Sequence, residues 1–328
     1  MLGRMVVGID LGTASVLVYV RKKGIVLREP SVVAMEPSTR KIVAVGQPAA
    51  DMLGRTPEGL VAVRPMRDGV IADYEVTEAM LRHFIQKVCG RHPIFKPMVI
   101  VCVPAKITGV ERRAVIEAAM SAGAKQAYLI EEPLAAAIGA GLGVEQPRGC
   151  MVVDIGGGSA DVAVMSLGGI AVSDTIRIAG NRFDEAIVRA IRNEHKLLIG
   201  EKTAEQVKMQ IGSACPMADE QPMEVRGRDL VDGMPRAVMV DPEKIREALD
   251  EPVSMIVATV KSVLEKSPPE LAADIIERGI TMTGGGSLLK GFDRRIAEAT
   301  GMQVKVANDP ISCVAIGTGT VEPVKLTS

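Results

Sequence analysis

Short apolar runs rich in β-branched residues alternate along the whole chain with longer stretches whose apolar positions recur every three to four residues. That order predicts an α/β architecture in which sheets are covered by helices. Strands are predicted at Val6 to Ile9, Ser15 to Val20, Ile42 to Val45, Met98 to Val103, Ala127 to Ile130, Met151 to Val153, Asp161 to Met165 and Ile280 to Thr283. Between Thr77 and Val88, the side chains of Met80, Leu81, Phe84, Ile85 and Val88 share one helical face, and Gly90 ends the run. Thr108-Gly109-Val110-Glu111 reads as a capping box opening a helix that Gly123 closes. Thr203-Ala204-Glu205-Gln206 reads as a second capping box, with Glu205 and Lys208 one turn apart as a solvated pair. The pattern from Pro242 to Glu265 is interrupted by Pro252, which predicts either two helices or one with a kink.

Comparing the two halves reveals a repeat. Residues 5–20 (MVVGIDLGTASVLVYV) and 150–165 (CMVVDIGGGSADVAVM) share a plan: apolar strand, Asp, apolar residue, glycine turn with a hydroxyl, alternating strand. Self-similarity of this kind predicts two related domains facing each other.

Composition narrows the chemistry. The 328 residues carry 39 Lys plus Arg against 40 Asp plus Glu, too even a balance for the basic footprint that a phosphate backbone demands. With no Trp, three Tyr and four Phe, there is no ladder of rings for unpaired bases to stack on, so nucleic acid is not the expected partner. No uncharged run approaches the roughly 18–20 apolar residues that span a bilayer, and Met1 to Ile9 is too short for a signal peptide, which predicts a cytoplasmic protein. Five cysteines in mostly apolar contexts read as reduced core residues, and three scattered histidines offer no zinc spacing. A metal here would be held by oxygen, which favours magnesium with phosphates.

In each repeat an Asp at a strand end, Asp10 or Asp154, leads into a turn whose glycines (Gly12; Gly156, Gly157, Gly158) let bare amides approach an anion. Thr13, Ser15 and Ser159 add hydroxyls. One such turn is commonplace, but two in register would clamp a polyphosphate, with Asp10 and Asp154 holding magnesium through water. A third glycine stretch, Thr281-Met282-Thr283-Gly284-Gly285-Gly286-Ser287-Leu288, leaves bare backbone against which a flat ring could pack. P-loop and Gly-x-Gly-x-x-Gly spacings are absent, the latter because Asp161 takes the last position. Glu131-Glu132-Pro133 precedes the small-residue helix Leu134 to Gly141, where a carboxylate would either orient an attacking water or complement the helix dipole.

The stretches IDLGTAS, RPMRDGVIADYEV, VCVPAKIT, IEEPLAAAIGAGL, VVDIGGGSADVAV, IGEKTAEQVK, SPPEL and TMTGGGSLLKG together resemble the MreB/Mbl family of bacterial actin homologues from end to end. The wider actin, Hsp70 and sugar-kinase superfamily shares the phosphate turns and the last glycine run, while RPMRDGVIAD and IGEKTAE belong to the MreB branch. The resemblance implies a duplicated actin-like fold, two lobes each with a mixed β-sheet flanked by helices, and ATP or ADP with Mg2+ in the cleft. Lobe I would span 1–143, lobe II 144–310, and a C-terminal helix near 311–328 would rejoin lobe I. Asp10, Gly12, Thr13, Ala14 and Ser15 match the first phosphate loop, and Asp154 with Gly156, Gly157, Gly158 and Ser159 the second. Glu205, Gln206, Val207 and Lys208 match the nucleoside-contacting helix, and Gly284, Gly285, Gly286, Ser287 and Leu288 the adenosine loop. Glu132 matches the carboxylate that positions water, aided by Ser159 and Asp154.

Ser15 stands where the family usually has Asn, Ser159-Ala160 where it has Thr-Thr, and Asn181 where it often has Asp. Serine lacks the methyl group that restricts threonine's rotamer, which predicts slower hydrolysis with nucleotide binding kept. The resemblance further implies self-assembly into paired antiparallel protofilaments on the inner face of the cytoplasmic membrane, partnered with membrane-bound wall-elongation proteins to maintain rod shape. Ile94 and Phe95, set between prolines and basic residues, would insert into the membrane. Burying both contributes roughly 3 to 6 kcal/mol before losses, so firm attachment needs many subunits at once. The alternative on the same fold is a small-molecule kinase.

Overall fold

The computed structural model describes residues 5–90 and 96–322. An antiparallel meander of β1 (Val6–Leu11), β2 (Ser15–Val20) and β3 (Gly24–Pro30) begins the fold. A small sheet follows, in which β4 (Val33–Met35) pairs with both β5 (Ile42–Val45) and, beyond the short α1 (Gln47–Ala50), β6 (Val61–Val63). A two-stranded hairpin of β7 (Met66–Arg67) and β8 (Val70–Ile71) then leads to α2 (Tyr74–Cys89), whose N-cap Asp73 accepts a bond from the Val76 N–H. Next come β9 (Met98–Val103), α3 (Gly109–Ser121), β10 (Gln126–Glu131) and α4 (Glu132–Gly139). β9 runs parallel to β1 and to β10, so the lobe I sheet reads β10-β9-β1-β2-β3.

The second half repeats the scheme. β11 (Cys150–Ile155), β12 (Ala160–Ser166) and β13 (Gly169–Ile176) form the meander. After α5 (Gly180–His195), a small sheet of β14 (Leu197–Leu198), β15 (Met223–Asp229) and β16 (Pro235–Val240) holds α6 (Glu201–Ile211) beside it. There follow α7 (Pro242–Lys266), α8 (Pro269–Arg278), β17 (Ile280–Thr283), a 3-10 turn at Gly285–Leu288, α9 (Phe292–Thr300), β18 (Val304–Val306) and α10 (Cys313–Thr320). The main lobe II sheet reads β13-β12-β11-β17-β18, with β17 parallel to both neighbours. Three antiparallel strands extended by two parallel ones therefore occur twice, and the sequence repeat becomes a repeat of topology.

Both faces of the central strands of each main sheet are buried, as expected where strands are continuous apolar runs. On β9, Val99, Val101 and Val103 face the lobe I core with Phe84, while Ile100 and Cys102 face a middle layer. On β11, Met151, Val153 and Ile155 face the lobe II core with Phe183 and Phe292, while Cys150 and Val152 join the same middle layer. That shared layer is built on Ala135, Ala136 and Ala137 of α4 and Val314 of α10. The two helices touch through backbone: a Cβ on Gly317 would lie 1.8 Å from the Ala135 carbonyl oxygen, and one on Gly139 would lie 1.9 Å from that of Cys313.

All eight predicted strands form, each within a residue or two of its expected ends. The Thr108 capping box is closed in both directions, Glu111 N–H to Thr108 Oγ1 at 3.2 Å and Thr108 N–H to Glu111 Oε2 at 2.7 Å. The second predicted box is not a cap. α6 starts at Glu201 behind Gly200, which puts Thr203 inside the helix, because buried Leu197 and Ile199 carry the chain into the lobe II core and it turns at Gly200. α7 is one helix with Pro252 inside it: a continuous buried face of Leu249, Val253, Ile256, Val257, Val260 and Val263 outweighs the lost backbone bond. All five cysteines are free thiols, four of them buried.

Candidate functional site

The two glycine turns are built alike. Between β1 and β2 the Gly12 N–H donates to the Ser15 carbonyl at 3.1 Å, and between β11 and β12 the Gly156 N–H donates to the Ser159 carbonyl at 2.9 Å. They also face one another at contact distance. A Cβ on Gly157 would lie 2.7 Å from Ala14 Cβ, and one on Gly158 would lie 2.5 Å from Thr13 Oγ1. Only glycine permits that approach, which sets the bare backbone of the second turn against Thr13 and Ala14 of the first. Thr13 and Ser159 are buried there and Ser15 is half-buried.

Neighbouring elements brace the turns. Thr13 Oγ1 accepts the Gly69 N–H at 3.1 Å from the β7–β8 turn, part of the RPMRDG stretch, and a Cβ on Gly69 would come within 3.0 Å of Ser159 Oγ. The N-terminus of α5 holds the other turn, with Gly180 N–H to the Gly156 carbonyl at 3.1 Å and Asn181 N–H to the Gly157 carbonyl at 2.8 Å. Asn181 thus serves this turn through its backbone.

Four carboxylates converge on the cleft below the turns. Asp154 accepts Thr283 Oγ1–H at 2.6 Å, and burial pushes it up to about 7. Asp10 accepts the Cys102 thiol at 3.3 Å, and burial pushes it up to about 6. Asp161 is pushed to about 6, again by burial. Glu132 is raised well above the usual carboxylate range by burial first and then by the charges of Asp161, Asp10 and Asp154. The two adjacent glutamates separate here: Glu131 is paired with Arg112 at 3.0 Å, whereas Glu132 has no hydrogen-bond partner among the described residues.

None of the four carboxylates is ion-paired among the described residues, and one oxygen, Asp161 Oδ2, is buried with no partner. Such a group of acids lacks its counter-charge and fits a divalent cation. Among the described residues no three acids, histidines or cysteines gather closely enough to ligate an ion directly. Asp10 and Asp154 would hold a Mg2+ ion, if one binds, through its water.

The residues expected on the nucleoside side fall in different surroundings. Glu205 and Gln206 are exposed on α6, but Val207 is fully buried in the lobe II core and presents no side chain to a ligand. Lys208 pairs with Asp184 at 2.9 Å instead of with Glu205, and also donates to the Gly180 carbonyl at 3.2 Å, tying α6 to the helix that braces the second turn. In the last glycine run, Gly284 and Gly286 are required by Ile155, since a Cβ would lie 2.3 Å from its carbonyl oxygen and 2.4 Å from its Cγ2 respectively. Gly285 alone has open space, Ser287 Oγ donates to the Gly284 carbonyl at 2.6 Å, and Leu288 is exposed. Ile94 and Phe95 lie outside the described residues.

Asp161 and Asp184 are not among the site residues expected from the sequence, and the Asp68-Gly69 turn enters there only as part of the RPMRDG stretch. Asp161 could have been found from hairpin register: the Gly156–Ser159 turn places it directly opposite Asp154.

Two lobes of repeated topology that meet at facing glycine turns over a set of acids define an actin-like fold. A family model described as MreB/Mbl protein matches residues 4–326. Cell shape-determining protein Mbl of Bacillus subtilis is 53% identical over 313 residues, which cover 95% of this chain and 94% of that one. Cell shape-determining protein MreB of Escherichia coli is 54% identical over 316 residues, covering 95% and 91%. Among solved structures, MreB5 of Spiroplasma citri is 40% identical both with ADP bound, at a TM-score of 0.91 covering 96% and 95%, and with AMPPNP bound, at 0.92 covering 97% and 96%. The chain belongs to the MreB/Mbl family.

Proposed function

We propose that this protein is a cytoskeletal ATPase that binds ATP and Mg2+ between its lobes, hydrolyses the nucleotide slowly and polymerises into actin-like filaments. The contact of Gly158 with Thr13 carries the reading, because it brings the glycine turns of the two lobes together at one point. The MreB5 structures, bound to ADP and to AMPPNP, support nucleotide binding by this chain. Magnesium, when bound, would neutralise phosphate charge, with Asp10 and Asp154 holding its water. Glu132, partnerless and facing that charge, would orient the attacking water, with Ser159 Oγ beside it. Exposed Glu205 and Gln206, Lys208 and the open face at Gly285 would receive the nucleoside.

In this reading 1–143 and 144–310 are the lobes and 311–328 returns to lobe I, in keeping with the packing of α10 on α4 and with the Arg21 bond to the Val321 carbonyl at 2.6 Å. The filament would lie on the inner face of the cytoplasmic membrane and organise wall synthesis with membrane-bound elongation proteins; the relatives' description as cell shape-determining supports a role in shape. Among the described residues no helix is long and apolar enough to cross a membrane, so attachment would be peripheral, through Ile94 and Phe95.

Calorimetric titration of the pure chain with magnesium-ATP, followed by electron microscopy on a lipid monolayer, tests this. Binding heat and filaments are expected. A folded protein giving no heat refutes it, and a monomer whose turnover is stimulated by a metabolite acceptor makes it a kinase instead.

A further inference from the structure

Asp161 is the cleft carboxylate that the functional reading leaves without a task. In register it stands opposite Asp154 on one side and Thr175 on the other, and Thr283 stands opposite Asp154, so four polar side chains form one row across β13, β12, β11 and β17. Its Oδ1 is fully used, accepting Thr175 Oγ1–H at 2.7 Å and the Ala105 N–H at 3.2 Å. Ala105 belongs to lobe I. It follows β9, whose last residue Val103 is paired with Glu131 at the end of β10, immediately before Glu132. Asp161 thus reaches across from lobe II to the place where Glu132 opens α4.

The other oxygen, Oδ2, is buried and has no partner, and the residue as a whole is 1% exposed. Glu132 is likewise without a hydrogen bond among the described residues, and Asp161 is the neighbouring charge that acts on it most strongly. A buried acceptor without a donor, beside a partly buried carboxylate that also lacks one, calls for a shared donor such as a water.

We propose that Asp161 is a positioning residue for hydrolysis: its Oδ2 and the Glu132 carboxylate hold one hydrogen-bonded bridge between them, and this sets the orientation of Glu132 toward the attacking water. Because Oδ1 is anchored on Ala105 of the opposite lobe, the bridge forms only when the lobes are closed on each other. The inference rests on the ATPase reading above and adds a residue to it.

Asp161→Asn keeps an oxygen for Thr175 and Ala105 while replacing the acceptor Oδ2 by an amide donor, which would bond Glu132 directly and so displace the shared bridge. Magnesium-ATP binding by calorimetry is expected to stay within about threefold of the unaltered chain, while single-turnover hydrolysis falls by about tenfold or more. Combined with Glu132→Gln, it should slow hydrolysis no further than Glu132→Gln alone, since both remove the same bridge. Thr175→Val, which loosens Oδ1 and leaves the acid in place, is the second variant and should also lower the rate at unchanged affinity. Hydrolysis by Asp161→Asn at the unaltered rate overturns the proposal. So does a parallel loss of affinity and rate in both variants, which marks a purely structural tie, and so do multiplying effects in the double variant. Absence of binding heat in the unaltered chain overturns the ATPase reading itself and is seen before any variant is compared.

Discussion

Gly158 of lobe II stands so close to Thr13 of lobe I that a Cβ on the glycine would lie 2.5 Å from the threonine Oγ1 and 3.0 Å from Asp68 Cα. Three segments remote in sequence meet at this point with no room for a methyl group. Gly158→Ala is therefore expected to force the turns apart. Overpacking of this kind costs about 1–3 kcal/mol of stability, and magnesium-ATP affinity should fall by about tenfold or more. Calorimetry and a urea melt measure both, and unchanged affinity would remove the contact from the binding site.

Glu132 is the partnerless glutamate of its pair, which predicts opposite outcomes for the two neighbours. Glu132→Gln should slow single-turnover hydrolysis by about 10²-fold or more while ATP affinity is kept, as for loss of a group that positions water. Glu131→Gln removes only the partner of Arg112, a half-exposed pair worth at most about 1 kcal/mol, and should leave the hydrolysis rate within about twofold. A quench-flow comparison of the two variants decides between them.

The acids of the cleft make stability pH-dependent in an unusual direction. Asp10 is raised to about 6 and Asp154 to about 7, both by burial, so between pH 5 and 7 the folded chain binds more protons than the unfolded one. Their contribution is present at the acid end of that window and is lost as pH rises through it. Free protein should melt at a lower temperature at pH 7.5 than at pH 5.5, and magnesium-ATP should restore more of the difference at the higher pH. Asp154→Asn should flatten the dependence in thermal melts without ligand.

The helix pair beneath the cleft offers a test of the fold itself. Gly317→Ala puts a Cβ 1.8 Å from the Ala135 carbonyl oxygen, an atom of the α4 backbone that cannot rotate away. A loss of about 3 kcal/mol or more is expected in equilibrium urea unfolding. Gly301→Ala is the control: nothing lies within 4 Å of its Cβ, and the cost is confined to its positive φ of 72°, on the order of 1 kcal/mol.

The proposed membrane attachment would be separable from assembly. Ile94→Ser together with Phe95→Ser should lower co-sedimentation with anionic vesicles while leaving pelleting with ATP and magnesium unchanged. Equal vesicle binding by the double variant would remove these two side chains from the attachment.

The strands, the repeat of Asp10 and Asp154, the Thr108 capping box and the membership of a family were all legible in the linear chain. The strands and the cap depend on side-chain periodicity or turn chemistry between residues a few positions apart, the repeat on comparing two such segments, and the family on the resemblance of motifs from end to end. Tertiary packing decided the rest. Thr203 lost its cap because Leu197 and Ile199 are pulled into a core assembled from distant helices, and Pro252 sits inside an unbroken α7 because that core holds both sides of it. Val207 went inward, Lys208 found Asp184, and Gly284 and Gly286 answer to Ile155. Asp161 read in sequence as a mere interruption of a glycine pattern; strand register set it opposite Asp154, and closure of the lobes set it on Ala105. A sequence states which residues can pair with near neighbours, whereas partners a hundred positions away are chosen by which faces the folded sheets must bury together.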